Sequence, residues 1–163
     1  MHTIGNIKNR HMAKWLTTPL ETENGSGNLV MASVRGDVER FISNPRFKYR
    51  VEVTWEYTPE AAGMPSEADG ELMEKVQEAI ETVLAKDPVA VLTGVYTGEG
   101  ERNLVFYTLS LHIFQRKFNE ILAPFPLLPL TFSAEEDASW EEYHAMYALA
   151  SAADSDDNDE EEI

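Results

Sequence analysis

The chain contains no cysteine among its 163 residues. This absence excludes disulfide bonds, thiol nucleophiles and thiolate ligands for zinc or iron–sulfur clusters. It is consistent with a reducing compartment, and we expect a cytoplasmic protein. A length of 163 residues corresponds to one ordinary domain, which can bury a hydrophobic core without covalent cross-links.

Long apolar runs are also lacking. The longest, from Ile121 to Phe132, is shorter than a membrane span and contains three prolines. The first fifteen residues carry basic side chains but no apolar segment of signal-peptide length. We therefore expect neither secretion nor a membrane segment.

Basic residues are missing from the C-terminal part of the chain. Residues 135–163 hold twelve acidic residues and no Lys or Arg, whereas the remainder holds seventeen acidic and thirteen basic residues. Because few apolar groups follow Leu149 and like charges repel one another, residues 151–163 are predicted to form a disordered acidic tail. Residues 1–12 are also predicted to be disordered, which leaves one domain over residues 13–150.

The charge of the chain narrows its possible partners. The formal net charge is −16 and Lys and Arg are not clustered, which argues against a nucleic-acid-binding surface. Two interpretations of the acidic tail stay open: it maintains solubility, or it mimics phosphate and occupies a basic surface of a partner. We expect a protein partner.

Strand and helix patterns alternate along the domain. Two β-rich segments around a Gly- and Asn-rich turn predict an N-terminal hairpin over residues 15–35. Residues 37–43 indicate a short helix. Phe47 to Tyr57 alternates apolar and polar side chains and predicts a strand with its apolar side, including Phe47 and Val51, in the core.

The central segment combines further strands and helices. Ser66 is placed to cap a helix, two strands follow around the sequence GEGE, and a second helix ends at Pro124 before a short strand. Residues 47–133 therefore have the order β-α-β-β-α-β. This order predicts an α+β fold of ferredoxin-like topology, in which two helices cover one face of a four-stranded antiparallel sheet.

A last helix is predicted over residues 139–150. Ser139 and Glu142 have the spacing of a capping box. His144 shares a helical face with Trp140 and Tyr143, and we interpret it as a packed or capping histidine rather than a catalytic base.

The glycines of TGVYTGEGERNLVFYT predict a turn and not a phosphate site. No Lys-Ser or Lys-Thr follows the last glycine, and a strand rather than a helix comes next. Gly98, Glu99 and Gly100 are expected to supply the positive φ angles of a tight hairpin. Gly94, inside a strand, predicts a bulge or a close backbone approach.

Motifs for catalysis or metal binding are not found. The histidines lack the spacing of a zinc site, the acidic residues near Glu135 lack the pattern of a calcium loop, and GxSxG is absent. We expect no catalytic residue, no metal and no cofactor.

The polar side of the long strand is the main candidate for binding. The ferredoxin-like plan leaves this side uncovered by its two helices; its residues are Lys48, Arg50, Glu52, Thr54 and Glu56. Either the N-terminal hairpin or a second copy of the chain covers it, which allows a homodimer, or its arginines bind a carboxylate or phosphate. The candidate binding surface comprises Arg50, Glu52, Tyr96, Arg102, Tyr107 and His144.

Several segments together resemble one bacterial family. They are NLVMASVRGDVERF, YRVEVTWEY, GMPSEADGELMEKVQEAIETVL, AVLTGVYTGEGERNLVFYT and DASWEEYHAM. Over residues 14–147 the chain resembles the family called domain of unknown function 695. It is similar in plan to the B-type regulators of ribonuclease E activity, small acidic proteins of ferredoxin-like topology that inhibit their target by binding. The N-terminal hairpin and the few shared motifs separate the chain from those regulators, so ribonuclease inhibition is not carried over, and the resemblance supplies no catalytic residue.

These observations favour a non-enzymatic interaction or regulatory domain that contacts a protein partner through an acidic surface. A domain that binds or hydrolyses a small molecule in a pocket on the sheet face is the first alternative. A homo-oligomeric assembly module is the second.

Overall fold

Six strands and four α-helices form an α+β fold in the part of the chain that the structure describes. The computed structural model describes residues 14–22 and 24–162, with side chains up to residue 153. Strands β1 to β6 are Trp15–Glu21, Leu29–Arg35, Tyr49–Glu56, Ala90–Gly98, Glu101–Thr108 and Leu130–Glu136. Helices α1 to α4 are Glu39–Ile42, Glu67–Lys86, Leu111–Leu122 and Glu141–Glu162. The disorder predicted for residues 1–12 falls outside the described residues.

The strands form one open antiparallel sheet. Their order is β1-β2-β4-β5-β3-β6, and every neighbouring pair is antiparallel. Within the described part of the chain, strands β1 and β6 are therefore the edges of the sheet. The predicted α+β class is confirmed.

Helices α2 and α3 cover one face of the sheet. As predicted, Ser66 caps α2 by accepting a hydrogen bond from the backbone N–H of Asp69 at 3.1 Å. Ser110 caps α3 by accepting from the N–H of Ile113 at 3.2 Å. The helices bury Met73, Val76, Ile80, Leu84, Phe114, Phe118 and Ile121 against β3, β4 and β5. Burying each large apolar side chain stabilises the fold by roughly 1.5–3 kcal/mol.

A second core lies on the opposite face, where α1 and α4 pack. The indole of Trp140 stacks on Tyr107 with ring centroids 3.9 Å apart, and its Nε1 donates to the Phe47 carbonyl at 2.8 Å. The prediction that Phe47 shares the side of Val51 is wrong, because Phe47 precedes β3 and packs in this second core. Strands β1 and β2 do not cover the polar face as one interpretation supposed, since β2 pairs with β4 and extends the sheet.

Helix α4 differs from the prediction at both ends. The carboxylate of Asp137, and not Ser139, accepts from the N–H groups of Glu141 at 3.0 Å and Glu142 at 3.1 Å. The reason is Trp140, whose φ of 56° turns the chain so that its indole enters the second core. At the other end, the helix continues past the predicted limit at residue 150, where Ala150 is buried in the second core, and extends to Glu162 through most of the segment predicted to be disordered.

The predicted turn between β4 and β5 is confirmed. Gly98 pairs with Glu101, so Glu99 and Gly100 form a two-residue loop with φ angles of 54° and 85°. Gly98 itself does not have the positive φ that was expected. A glycine is required at position 98 for another reason: a Cβ there would lie 3.0 Å from the backbone of the adjacent β2 strand.

Candidate functional site

The polar face of the sheet is open over β3 and β6. Helix α4 packs on β1 and β2, at the far side of the sheet from β6. On the open side, Arg50 lies opposite Glu135 and Glu52 lies opposite Ser133. We call this region the polar patch, and it consists of Arg50, Glu52, Thr54, Tyr96, Asn103, Ser133 and Glu135.

Arg50 is the cation at the centre of the polar patch. Its side chain is only 16% exposed, and its Nη1 lies 3.9 Å from Glu52 Oε1 and 3.6 Å from Glu135 Oε2. Its Nε is buried and makes no hydrogen bond with the described residues. These long ion pairs leave the hydrogen-bonding capacity of the guanidinium and of both carboxylates incompletely used.

Tyr107 holds α4 against the sheet and is not part of the polar patch. Its hydroxyl donates to Asp137 Oδ2 at 2.7 Å and accepts from the N–H of Tyr143 at 3.3 Å. Burial, together with the hydrogen bond to Asp137, raises the pKa of Tyr107 far above its usual range. Because the side chain is completely buried, this member of the predicted binding surface does not reach solvent.

Tyr96 lies at the border between the polar patch and the second core. Burial raises the pKa of its phenol to about 12, although the nearby Arg50 acts in the opposite direction. A Cβ on Gly94 would lie 2.6 Å from the phenol oxygen, so the ring requires a glycine beneath it. The register shift in β4 falls between Leu92 and Gly94, which confirms the bulge predicted there.

The other two predicted binding residues lie elsewhere. Arg102 is on the α2 face, where its Nη1 donates to Thr97 Oγ1 at 2.8 Å and its Nη2 donates to Gln77. Burial lowers the pKa of Arg102. His144 is exposed on α4, and its ring lies edge-on to the Tyr143 ring with centroids 5.4 Å apart. The interpretation of His144 as a packed histidine is therefore wrong, because Trp140 and Tyr143 fill the buried side of the helix.

The sequence analysis considered Asp137 and Glu135 only as members of an acidic cluster that could bind calcium, and it missed their positions beside Tyr107 and Arg50. Burial acts to raise the pKa of Asp137, but hydrogen bonds from Tyr107 and from the amides of Glu142 and Glu141 outweigh it and lower the pKa. The charge of Arg50 acts in the same direction, so Asp137 belongs to the electrostatic surroundings of the polar patch. A signal was present, since Asp precedes the helix as a capping residue does, but the Ser139 spacing matched a known motif better.

Acidic groups predominate in the polar patch. Arg50 faces Glu52 and Glu135, and the negative charge of Asp137 lies close by. The cavity beside Arg50 has a volume of about 210 Å³ and is lined by strands β3 and β6. Within residues 14–22 and 24–153, whose side chains the structure describes, no three His, Asp or Glu side chains are grouped so as to hold a metal ion. Such a surface attracts cationic groups through carboxylates on a rigid sheet.

The fold and the patch define a class, namely α+β domains with an open antiparallel sheet and a polar patch on its partly covered face. Residues 24–147 match the family described as "Family of unknown function (DUF695)", and the chain belongs to this family. No curated protein and no solved structure matches the chain. Among its described helices, none combines the length and the apolar character needed to cross a bilayer.

Proposed function

We propose that the chain is a non-enzymatic protein-interaction domain whose polar patch binds a basic surface of a partner. The arrangement of Arg50 is the observation that carries this proposal. One guanidinium lies beside two carboxylates at 3.9 and 3.6 Å, too far for tight pairing, on an open part of the sheet. Lys or Arg side chains of a partner would find carboxylate oxygens that the chain itself does not fully use.

The ferredoxin-like plan is part of this proposal. Strands β3 to β6 and helices α2 and α3 follow one another as β-α-β-β-α-β. The four strands pair in the order β4-β5-β3-β6, with both helices packed in one core on the same face. Strands β1 and β2 would then be an N-terminal hairpin that extends such a sheet, and the opposite face would be available for binding.

The size of the cavity favours a macromolecular partner over a small molecule. Pockets for small molecules enclose about 300–1,000 Å³. The cavity at Arg50 measures about 210 Å³, and Glu135 on its rim is exposed. The groups of Tyr107 and Asp137 are already engaged in holding α4. A partner that lies across the sheet uses this geometry better than a ligand that must be enclosed.

Binding of this kind would regulate the partner. An acidic surface that covers Lys and Arg side chains competes with any phosphate-bearing ligand of the same basic surface. The proposed domain would thus act by occupying its partner and not by chemistry.

Binding of a fluorescent oligo-arginine peptide, measured by anisotropy at low salt, tests the proposal. The double variant Glu52→Gln/Glu135→Gln should bind about tenfold more weakly, because two partly exposed charge pairs contribute roughly 0.5–1 kcal/mol each. The matched control Glu71→Gln/Glu78→Gln removes the same charge from exposed positions on α2 and should bind like the unmodified chain. Equal losses in both variants would show that only the total charge matters, and the proposal would fail.

A further inference from the structure

The two edges of the sheet differ, and we infer that the β6 edge pairs with β6 of a second copy of the chain, antiparallel and centred on Ser133. This inference concerns the edge of the sheet and does not depend on the proposed partner of the polar patch. The resulting assembly would be a two-fold dimer with one continuous sheet.

The β1 edge is closed to such pairing. The Gly36 N–H donates to the Lys14 carbonyl at 2.7 Å. The even-numbered residues of β1 therefore direct their backbone N–H and C=O groups toward β2, and the odd-numbered residues direct theirs outward. Pro19 therefore lies at an outward-facing position, where a neighbouring strand would need an N–H that proline lacks. Proline on an edge strand is a device that prevents sheet-to-sheet association.

The β6 edge has no such protection. The Asp137 N–H donates to the Lys48 carbonyl at 2.7 Å, and the Glu56 N–H donates to the Pro129 carbonyl at 3.3 Å. The odd-numbered residues of β6 consequently bond to β3, and the backbone groups of Phe132 and Ala134 point outward. Strand β6, with the sequence LTFSAEE, contains no proline, no lysine and no register shift against β3. Among the described residues, the outward backbone groups of Phe132 and Ala134 have no partner and are available to another strand, whereas the Leu130 N–H donates to the Leu128 carbonyl at 2.9 Å.

Apolar surface accompanies the open edge. Phe132 is 53% exposed and Leu111 at the start of α3 is 40% exposed. A groove of about 280 Å³ runs between α3 and β6 and is lined by Val51, Leu111, Phe114, Phe118, Phe132 and Ala134 among others. A strand added beside β6 would place its own side chains over this groove. Pairing would therefore remove apolar surface from water as well as complete backbone hydrogen bonds.

Charge and length identify the occupant as a second copy in antiparallel orientation. Ser133 is the midpoint of Leu130–Glu136, so a two-fold axis there pairs Phe132 of each copy with Ala134 of the other through their outward backbone groups. Glu136 then faces Leu130 of the second copy, and Glu135 faces Thr131, so each acidic end meets an uncharged end. Parallel pairing would instead bring the glutamates of both copies together, which is unfavourable.

Cysteine cross-linking tests the geometry, because the chain has no cysteine of its own. In the proposed register, Ser133→Cys lies opposite its copy in a non-hydrogen-bonded pair, at a spacing close to that of a disulfide. Mild oxidation should therefore convert most of this variant to a covalent dimer. The control Thr17→Cys is exposed on the closed β1 edge and should stay monomeric. Equal cross-linking of both variants would overturn the inference.

Analytical ultracentrifugation supplies a second test without cross-linking. The unmodified chain should sediment as a dimer, Phe132→Glu as a monomer and Leu127→Glu, at a fully exposed position outside the edge, as a dimer. Circular dichroism should show that all three chains are folded. The inference would be overturned if the unmodified chain were folded but monomeric at roughly 100 µM, which is far above the Kd of a specific interface. The β6 edge would then be a site for a strand from another protein.

Discussion

At the scale of single residues, Asp137 connects the sheet to α4. It receives a hydrogen bond from the Tyr107 hydroxyl at 2.7 Å on one oxygen and from the Glu141 N–H at 3.0 Å on the other. The same carboxylate thus caps a helix and satisfies a buried hydroxyl. Hydrogen bonds to charged groups contribute more to stability than neutral ones, typically about 1.5–3 kcal/mol.

The first prediction concerns the substitution of this residue. Asp137→Asn should lower the free energy of unfolding at neutral pH by about 2 kcal/mol, since the cap and the bond from Tyr107 both weaken. The pKa of Asp137 is lowered below 3.8 in the folded chain. Its stabilising contribution is therefore complete above pH 3.8 and is lost as the pH falls through the lower, folded value.

Urea unfolding of both chains between neutral and acidic pH would measure this effect. The difference between Asp137→Asn and the unmodified chain should shrink at the acidic end. Ser139→Ala is the matched control, because Ser139 fills the position that the sequence motif favoured and should change stability little. Destabilisation by Ser139→Ala as large as that by Asp137→Asn would contradict the assignment of the cap.

At the scale of secondary-structure elements, α4 has two dissimilar parts. Its first part buries Tyr143 and Ala150 in the second core. Its last turn contains acidic residues and no basic residue, next to the negative end of the helix dipole. Tertiary contacts therefore stabilise the first part, while electrostatics opposes helix formation in the last part.

The second prediction is that removal of the acidic end has little effect on stability. A chain ending at Ala153 should unfold at the same temperature as the full chain, because it keeps all the residues of α4 that are buried among the described side chains. A chain ending at Met146 loses buried Ala150 and should unfold several degrees lower. A drop in unfolding temperature for the Ala153 chain would show that the acidic end is packed.

At the scale of the whole molecule, a formal net charge of −16 influences the two proposed contacts in opposite ways. Binding of a basic partner to the polar patch is an attraction between unlike charges. Pairing of two acidic copies through β6 must overcome the repulsion between like charges. Salt screens both, since the Debye length falls from about 10 Å at 0.1 M to about 3 Å at 1 M.

The third prediction follows from this difference in sign. Raising sodium chloride should weaken oligo-arginine binding severalfold and should strengthen self-association of the chain. Anisotropy and sedimentation equilibrium measure the two constants separately. Self-association that weakens with salt would indicate charge pairing between the copies and not the uncharged contact of strand β6.

The polar patch shows the limit of prediction from a single strand pattern. The alternation in β3 was sufficient to place Arg50 and Glu52 on one face, because side chains of a strand alternate by geometry. It could not place residues of other strands. Arg102 and Tyr107 lie an odd number of residues apart on β5, so they point to opposite faces, and only one of them can share a face with Arg50.

The sequence by itself determined the α+β class, the Ser66 cap, the turn at Glu99 and Gly100, and the division of β3 into apolar and polar sides. These features depend on local backbone preferences and on the periodicity of apolar residues, both of which are encoded within a few consecutive residues. Only the tertiary structure decided that α4 packs over β1 and β2, that Asp137 caps it, and that β6 is an open edge while Pro19 closes β1. Those outcomes depend on which distant segments pack together, and the indole of Trp140, buried against Tyr107, fixes that packing.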